Sequence, residues 1–267
     1  MKVQNKVFVV TGGGNGIGRE LVILLIRKGA SVAAVDINKE ALKETVKLAG
    51  DTGKISTHLI DITDRAAVAK LPAEVIKAHG AVDGLINNAG IIQQFLRFND
   101  LDYKEIDRVM NINFFGVVHM TKVFLPHLLK RPEAHIVNVS SMGGFLPVPG
   151  QTMYGASKAA VKLFTEGLNS ELLSTNVRVT VVFPGPTKTN IAANSGVTMK
   201  GDTTEQSSKI KMTPSPEAAG KIVDGIEHNR YRVLIGSTSV MMDRLSRLMP
   251  ERAAKIIYNQ MRSIMPV

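Results

Sequence analysis

Short apolar runs rich in β-branched residues alternate along this chain with longer stretches of helical periodicity. Lys6-Val7-Phe8-Val9-Val10 is the first such run and reads as a buried strand. Arg19 to Lys28 follows, with apolar residues at Leu21, Leu24, Leu25 and Ile26 in helical spacing. Further strands are predicted at Ser31–Val35, Ser56–Ile60, Val82–Ile86, Ala134–Val139, Arg178–Phe183 and Arg232–Ile235. Helices are predicted at Lys39–Ala49, at Asp64–His79 with Pro72 interrupting it, at Asp102–Leu129 in two pieces, and at Tyr154–Leu173. Apolar strands alternating with helices argue for an α/β fold, a doubly wound parallel sheet of about seven strands covered on both faces. Ligands of such sheets bind beyond the carboxyl ends of the strands. Asp36, Asp61, Asn88, Ser141 and Pro184 all fall at or just after a strand end, so they converge on one crevice. One domain over residues 1–267 is the expectation.

Two regions escape this regularity. Thr187 to Thr213 is long and polar, bounded by Pro184-Gly185-Pro186 and Pro214-Ser215-Pro216. A loop of that length in a compact domain is commonly a lid or binding element. Its few apolar anchors, Ile191, Val197, Met199, Ile210 and Met212, predict mobility without ligand. Residues 237–267 extend past the last strand and read as a helical C-terminal extension. Met241, Leu245, Leu248 and Met249 fit one helical stripe, and Ile256, Ile257, Met261 and Ile264 another. Core or subunit contact is the first reading of these stripes, and a methionine-rich wall for an apolar substrate the second.

Chemistry enters at the junctions. The first strand runs into Thr11-Gly12-Gly13-Gly14-Asn15-Gly16-Ile17-Gly18 and then into a helix. Glycines let the backbone approach a pyrophosphate, and the free N–H groups of the helix start hold its charge. The second strand ends at Asp36, eighteen residues beyond Gly18, where a carboxylate is placed for the hydroxyls of an adenosine ribose. Tyr154 and Lys158 lie four residues apart, on one face of a helix with Cβ atoms roughly 5–6 Å apart. An ammonium beside a phenol favours the phenolate, and a tyrosine so poised exchanges a proton with an alcohol or carbonyl. Bringing its pKa from ~10 to ~7 takes about 4 kcal/mol, so a second positive group such as an oxidised nicotinamide is expected nearby.

These two halves resemble the short-chain dehydrogenase/reductase family in its compact single-domain, Rossmann-type branch, over roughly residues 4–236. The glycine pattern, Asn87-Asn88-Ala89-Gly90, Asn113, Ser141, Tyr154, Lys158 and Pro184-Gly185-Pro186-Thr187-Lys188-Thr189 appear in family order. The resemblance implies a catalytic set of Asn113, Ser141, Tyr154 and Lys158. Ser141 would bond the substrate oxygen, Asn113 would hold a water that links Lys158 to solvent, and Ser140 would support structure. It implies cofactor contacts from Thr11, Gly12, Asn15, Gly16, Ile17 and Gly18, from Asp36 and Ile37, and from Asp61 and Ile62. Asn88, Ala89 and Gly90, the pair Tyr154 and Lys158, and Pro184, Gly185, Thr187 and Thr189 would complete the cofactor site. A carboxylate at Asp36 repels a 2′-phosphate, and the positions where family members place a basic residue for it are Asn15 and Ile37 here. NAD is therefore the expected cofactor. The expected activity interconverts a secondary alcohol and a ketone on a moderately apolar small molecule, in a homo-oligomer (tetramer or dimer). A 3-oxoacyl thioester reductase and a dinucleotide-sensing binding protein without turnover are the alternatives. Extended epimerase relatives share the Tyr-x-x-x-Lys pair but differ in glycine spacing and length.

Composition narrows the field without changing it. The absence of cysteine excludes disulfides and thiolate chemistry and fits a cytoplasmic protein, the default expectation. The six histidines show no metal spacing, and no metal is expected. A net charge of +10 is dispersed rather than gathered in a run, which favours a solvated surface over nucleic-acid binding. No run approaches the ~18 apolar residues of a membrane span. The chain enters its first strand at once, so no leader peptide is expected.

Overall fold

The computed structural model describes residues 1–50, 53–197 and 212–261. Seven strands form one sheet: β1 (Val7–Thr11), β2 (Ser31–Asp36), β3 (Ile55–Leu59), β4 (Gly84–Asn87), β5 (Ala134–Val139), β6 (Val177–Pro184) and β7 (Arg232–Ile235). Their order is β3-β2-β1-β4-β5-β6-β7, and every pairing is parallel. The order reverses between β1 and β4, which opens a crevice at their carboxyl ends.

The pleat of β1 sorts the core. Phe8 and Val10 face one side, joining Leu21, Val22 and Leu25 of helix α1 (Gly16–Arg27) and Ala218, Ile222 and Ile226 of a later helix, Ser215–Glu227. Val7 and Val9 face the other side, with Val68 and Leu71 of α3 (Arg65–His79), Phe124 of α5 (Gly116–Leu128) and Leu168 of α6 (Thr152–Glu171). Helix α2 (Lys39–Ala49) adds Leu42 to the first side, and α4 (Tyr103–Met110) precedes α5. Burial on both faces explains why the strands read as continuous apolar runs.

Beyond small shifts at strand and helix ends, the structure sharpens the sequence reading at α1, α3 and the 102–129 region. Helix α1 begins inside the glycine motif, at Gly16, because the Asn15 side chain accepts from the Gly16 amide and caps it. Pro72 does not interrupt α3, which runs through it to His79. The expected break between residues 102 and 129 is a π-helical segment, Asn111–Phe115, joining α4 to α5. Such an inserted residue often marks a functional site, and Asn113 sits within it.

Helix α7 (Ser215–Glu227) leads to β7, and α8 (Ser237–Leu248) and α9 (Pro250–Met261) form the C-terminal hairpin. Met242, Ala253 and Ile257 of the hairpin pack on Leu146, with Met142, Phe145 and Val148 against them. The hairpin therefore backs the segment after β5; of the expected stripes Leu245, Ile257 and Met261 pack there, whereas Met241, Leu248, Met249 and Ile256 are exposed. Residue Ile264 lies outside the described residues. The centre of the expected lid, residues 198–211 with Met199 and Ile210, also lies outside them. Its described ends are tied together, since Thr187–Lys188 pairs in parallel with Thr213–Pro214. No described helix is long and apolar enough to cross a membrane.

Candidate active site

The turn after β1 is packed so closely that its last glycine has no room for a side chain. A Cβ on Gly18 would overlap the carbonyl oxygen of Gly12 and crowd Asn88. Gly16, which opens α1, holds a φ of +51°, a left-handed conformation that suits glycine. Thr11 ties this turn to the segment after β4: its hydroxyl oxygen accepts from the amides of Asn88 and Ala89, each at 3.0 Å. The first-turn amides of α1 are left facing a cavity of about 600 Å³, lined there by Gly12, Asn15, Gly16 and Ile17.

Asp36 closes one end of the cavity. Its carboxylate accepts from the Gly14 amide at 2.9 Å and from the Asn38 amide at 3.0 Å, which fixes it while leaving lone pairs for a ligand. Arg19, in the first turn of α1, is committed elsewhere: it donates to the Gly14 carbonyl oxygen (2.7 Å) and pairs with Glu44 (2.6 Å). Ile37, in the position where a basic side chain would meet a phosphate, is 70% exposed. Asp61 accepts from the Thr63 amide and hydroxyl, both at 2.8 Å, and lines the same wall with Ile62.

The opposite end holds Ser141, Tyr154 and Lys158. Ser141 caps a 3-10 turn, accepting from the Gly143 amide at 3.1 Å, so its own O–H proton is free to point elsewhere. Tyr154 lies in the first turn of α6, and Lys158 follows one turn later. Lys158 is 4% exposed and donates to the Val139 carbonyl oxygen at 3.0 Å. Burial lowers its pKa to about 8. Burial also pushes the Tyr154 phenol above its ordinary value, with a hydrogen bond to Ser141 pulling partway back. The sequence reading has Lys158 lowering the phenol; in the structure desolvation is the first cause acting on both groups, and the group that lowers the phenol is Ser141. Ser140 has the structural role expected of it, donating to the Lys158 carbonyl oxygen at 2.7 Å.

Most residues read from the sequence meet in this one cavity, including Asn88, Ala89, Gly90, Pro184, Gly185, Thr187 and Thr189. Thr11, Gly18 and Asn113 do not line it. Thr11 and Gly18 shape the turn from behind. Asn113 is fully buried and clamps the main chain of Ile91, accepting from its amide and donating to its carbonyl oxygen, both at 2.9 Å. Its remaining donor reaches Ser157 at 3.0 Å, so both amide hydrogens and one lone pair of its oxygen are engaged by protein. Sequence reasoning missed the walls beyond Tyr154: Ile92, Phe95, Met142, Val148, Asn190 and Asn194. These come from three separated segments with no local signature. Ile191 and Met212, read from the sequence as loop anchors, stand with them. No residue of the C-terminal hairpin lines the cavity, so its methionines form no wall there. Among the described residues no cluster of ligands could hold a metal ion.

Residues 6–200 match the short chain dehydrogenase family along their length. The chain belongs to the short-chain dehydrogenase/reductase family. It is 37% identical over 261 residues to SadH of Mycobacterium tuberculosis, a protein named as an oxidoreductase, covering 95% of this chain and 94% of that one. It is 39% identical over 188 residues to the 3-oxoacyl-[acyl-carrier-protein] reductase FabG of Thermotoga maritima, covering 69% and 75% of the two chains. A family member from Burkholderia phymatum, solved with NAD, superposes with a TM-score of 0.85 at 25% identity, covering 94% and 96%. Another from Burkholderia cenocepacia, solved with NADP, superposes at 0.81 and 26% identity, covering 96% and 99%. The family is that of oxidoreductases using a nicotinamide dinucleotide, and both forms of that cofactor occur among these neighbours.

Proposed function

We propose that this protein is an NAD(H)-dependent oxidoreductase interconverting a secondary alcohol and a ketone on a moderately apolar small molecule. The observation that carries this reading is one cavity with Asp36 at one end and Ser141, Tyr154 and Lys158 at the other. The tight glycine turn, the exposed start of α1 and the fixed carboxylate fit a dinucleotide laid between them. Gly12, Asn15, Gly16, Ile17, Asp36, Asp61 and Asn88 would hold its adenosine and phosphates, and Lys158, Pro184, Thr187 and Thr189 the far end. Bound there, the nicotinamide supplies the hydride acceptor or donor.

The chain's own residues handle the proton. In reduction, Tyr154 gives its phenolic proton to the substrate carbonyl oxygen while the carbonyl carbon gains a hydride. Oxidation reverses both transfers. Ser141, held by the Gly143 amide, donates its O–H to the same oxygen and stabilises the charge developing there. The raised phenol pKa keeps Tyr154 protonated at neutral pH, the form that reduction needs. Oxidation needs the phenolate, which a charged Lys158 and the positive ring of the oxidised cofactor favour together. Ile92, Phe95, Met142, Val148 and Met212 flank this end, and Lys158 is the one charged side chain there among the described residues. That lining suits an uncharged, apolar substrate. Likeness to the Thermotoga maritima reductase supports the second reading, a 3-oxoacyl thioester reductase; Asp36 weighs against it, since that activity ordinarily takes the phosphorylated cofactor.

NADH is expected to bind at least about tenfold more tightly than NADPH, because the Asp36 carboxylate meets the 2′ position and Arg19 is committed to Glu44. Asp36→Ala should narrow the gap, read by cofactor fluorescence titration. Equal affinity in the parent protein would reject the preference. A panel of alcohols and ketones, followed by NADH absorbance, tests the activity itself. Tight cofactor binding with no turnover across it would favour the sensing protein.

We also propose a homo-oligomer. Val161 and Leu168 of α6 serve the chain's own core, but Leu163 of the same helix (69% exposed) and Phe115 of the π-helical segment (40%) stay open to solvent. Light scattering at micromolar concentration should give a dimer or tetramer mass; a monomer mass rejects it.

A further inference from the structure

The first turn of α6 carries Tyr154, and its free amides are satisfied from outside the helix. The residue preceding the helix, Gln151, makes no side-chain cap bond to it. Gln93, which follows β4 in the chain and is wholly buried, takes that place. Its side-chain oxygen accepts from the Met153 amide at 2.8 Å and from the Tyr154 amide at 2.9 Å. Its side-chain nitrogen donates to the Gly150 carbonyl oxygen at 3.0 Å, just before the helix. These partners leave only one orientation for the amide, with oxygen toward the helix.

Gln93 is held in turn. Its carbonyl oxygen accepts from the Gln151 side-chain nitrogen at 2.8 Å, and that same nitrogen reaches the Gly150 carbonyl oxygen at 3.2 Å. Gln151 is thereby turned so that its own side-chain oxygen is buried without a partner. An unpaired buried acceptor is costly, so its presence beside the cap is notable. The two residues before Gln93 are anchored as well. Ile91 is clamped by Asn113, and the Ile92 amide donates to the Ser195 hydroxyl at 3.0 Å. Residues 91–93 thus form a tie between the π-helical segment, the turn following Ile191–Asn194, and the start of α6.

We propose that Gln93 is a positioning residue for the reaction, holding the Tyr154 end of α6 in place against Ser141 through a cap supplied from a different segment of the chain. This rests on the assignment of Tyr154 as the proton-exchanging group. The cap acts on the backbone of Tyr154 itself, so loosening it displaces the ring relative to Ser141 while leaving the cofactor end of the cavity, on β1, α1 and β2, untouched.

Two variants test it. Gln93→Asn keeps an amide but withdraws the acceptor by one methylene. Gln93→Glu keeps an acceptor oxygen at full reach, and its carboxyl, held neutral by burial, still donates to the Gly150 carbonyl oxygen. In Gln93→Asn, hydrogen exchange at the Met153 and Tyr154 amides should speed up by about tenfold or more, as befits uncapped first-turn amides. The ionisation of Tyr154, followed by tyrosinate absorbance and assigned with Tyr154→Phe, should move to higher pH, because the bond from Ser141 is weakened. The NADH dissociation constant should stay within about twofold, and kcat on a ketone should fall by about tenfold to a hundredfold. Gln93→Glu should restore the amide protection and most of kcat. Unchanged exchange and ionisation in Gln93→Asn would overturn the proposal, as would equal loss in both variants, which would make Gln93 core filling only. The exchange and ionisation measurements need no substrate, so a parent protein without turnover would overturn the proposed activity and still leave this tie decided.

Discussion

Tyr154→Phe should lower turnover by 10²–10⁴-fold, the usual contribution of a positioned general acid or base. The aromatic ring, and with it the packing at the start of α6, is kept; what disappears is the proton that reaches the substrate oxygen. Ser141 still presents its O–H, held by the Gly143 amide, so a residue of charge stabilisation survives without any group to complete the transfer. NADH binding should be nearly unchanged, because the dinucleotide would be held by the glycine turn and Asp36. Steady-state rates with a cofactor titration check both halves. More than about a tenth of the parent activity would reject Tyr154 as the proton-exchanging group.

Lys158→Met is expected to pull activity and stability in opposite directions. Turnover and NADH affinity should both fall, since the proposed ribose contact and the charge beside the phenol go together. The folded protein, however, should become more stable at pH 7. Lys158 carries its charge into a site where burial lowers its pKa from 10.5 to about 8. That drop corresponds to ~3 kcal/mol of destabilisation, against which the lost bond to the Val139 carbonyl oxygen counts ~1 kcal/mol. A net gain of roughly 1–3 kcal/mol follows, the kind of trade expected where function holds a charge in an unfavourable place. The sign follows from proton binding. Below about pH 8 the lysine is charged in both the native and the unfolded chain, so the penalty is complete. Between about 8 and 10.5 the native state has released its proton while the unfolded chain keeps it, so the parent gains on the variant as pH rises. Urea unfolding at pH 7 and pH 10 measures this directly. A variant less stable than the parent at pH 7, or a gap that does not narrow toward pH 10, would contradict it.

The parts of this protein legible in its sequence are those governed by short-range geometry. The i, i+4 spacing of Tyr154 and Lys158 is a property of one helix turn. The run from Val7 through the glycines to Asp36 is a strand, a turn and a helix whose lengths leave the carboxylate little choice of position. Continuous apolar strands separated by helices specify a parallel sheet before any contact is known, because only burial on both faces calls for them. The packing of Gly18 on Gly12 belongs to the same class, being settled within seven residues.

What the sequence could not decide depends on residues distant along the chain. Asn113 and Thr11 carry family signatures, yet the fold turns both away from the cavity, one onto Ile91 and the other onto Asn88 and Ala89. Gln93 shows no motif at all; it matters because the fold brings residue 93 within hydrogen-bonding reach of residues 153 and 154. The methionines of the C-terminal hairpin have the periodicity of a pocket wall, yet the fold packs Met242 and Met261 behind that wall, with Leu146 and Val148, and leaves Met241 and Met249 exposed. The protonation of Tyr154 and Lys158 was legible as a pair attraction but not as a balance. Attraction between two side chains follows from their spacing, whereas desolvation is the sum over everything packed around them, and that sum exists only once the chain has folded.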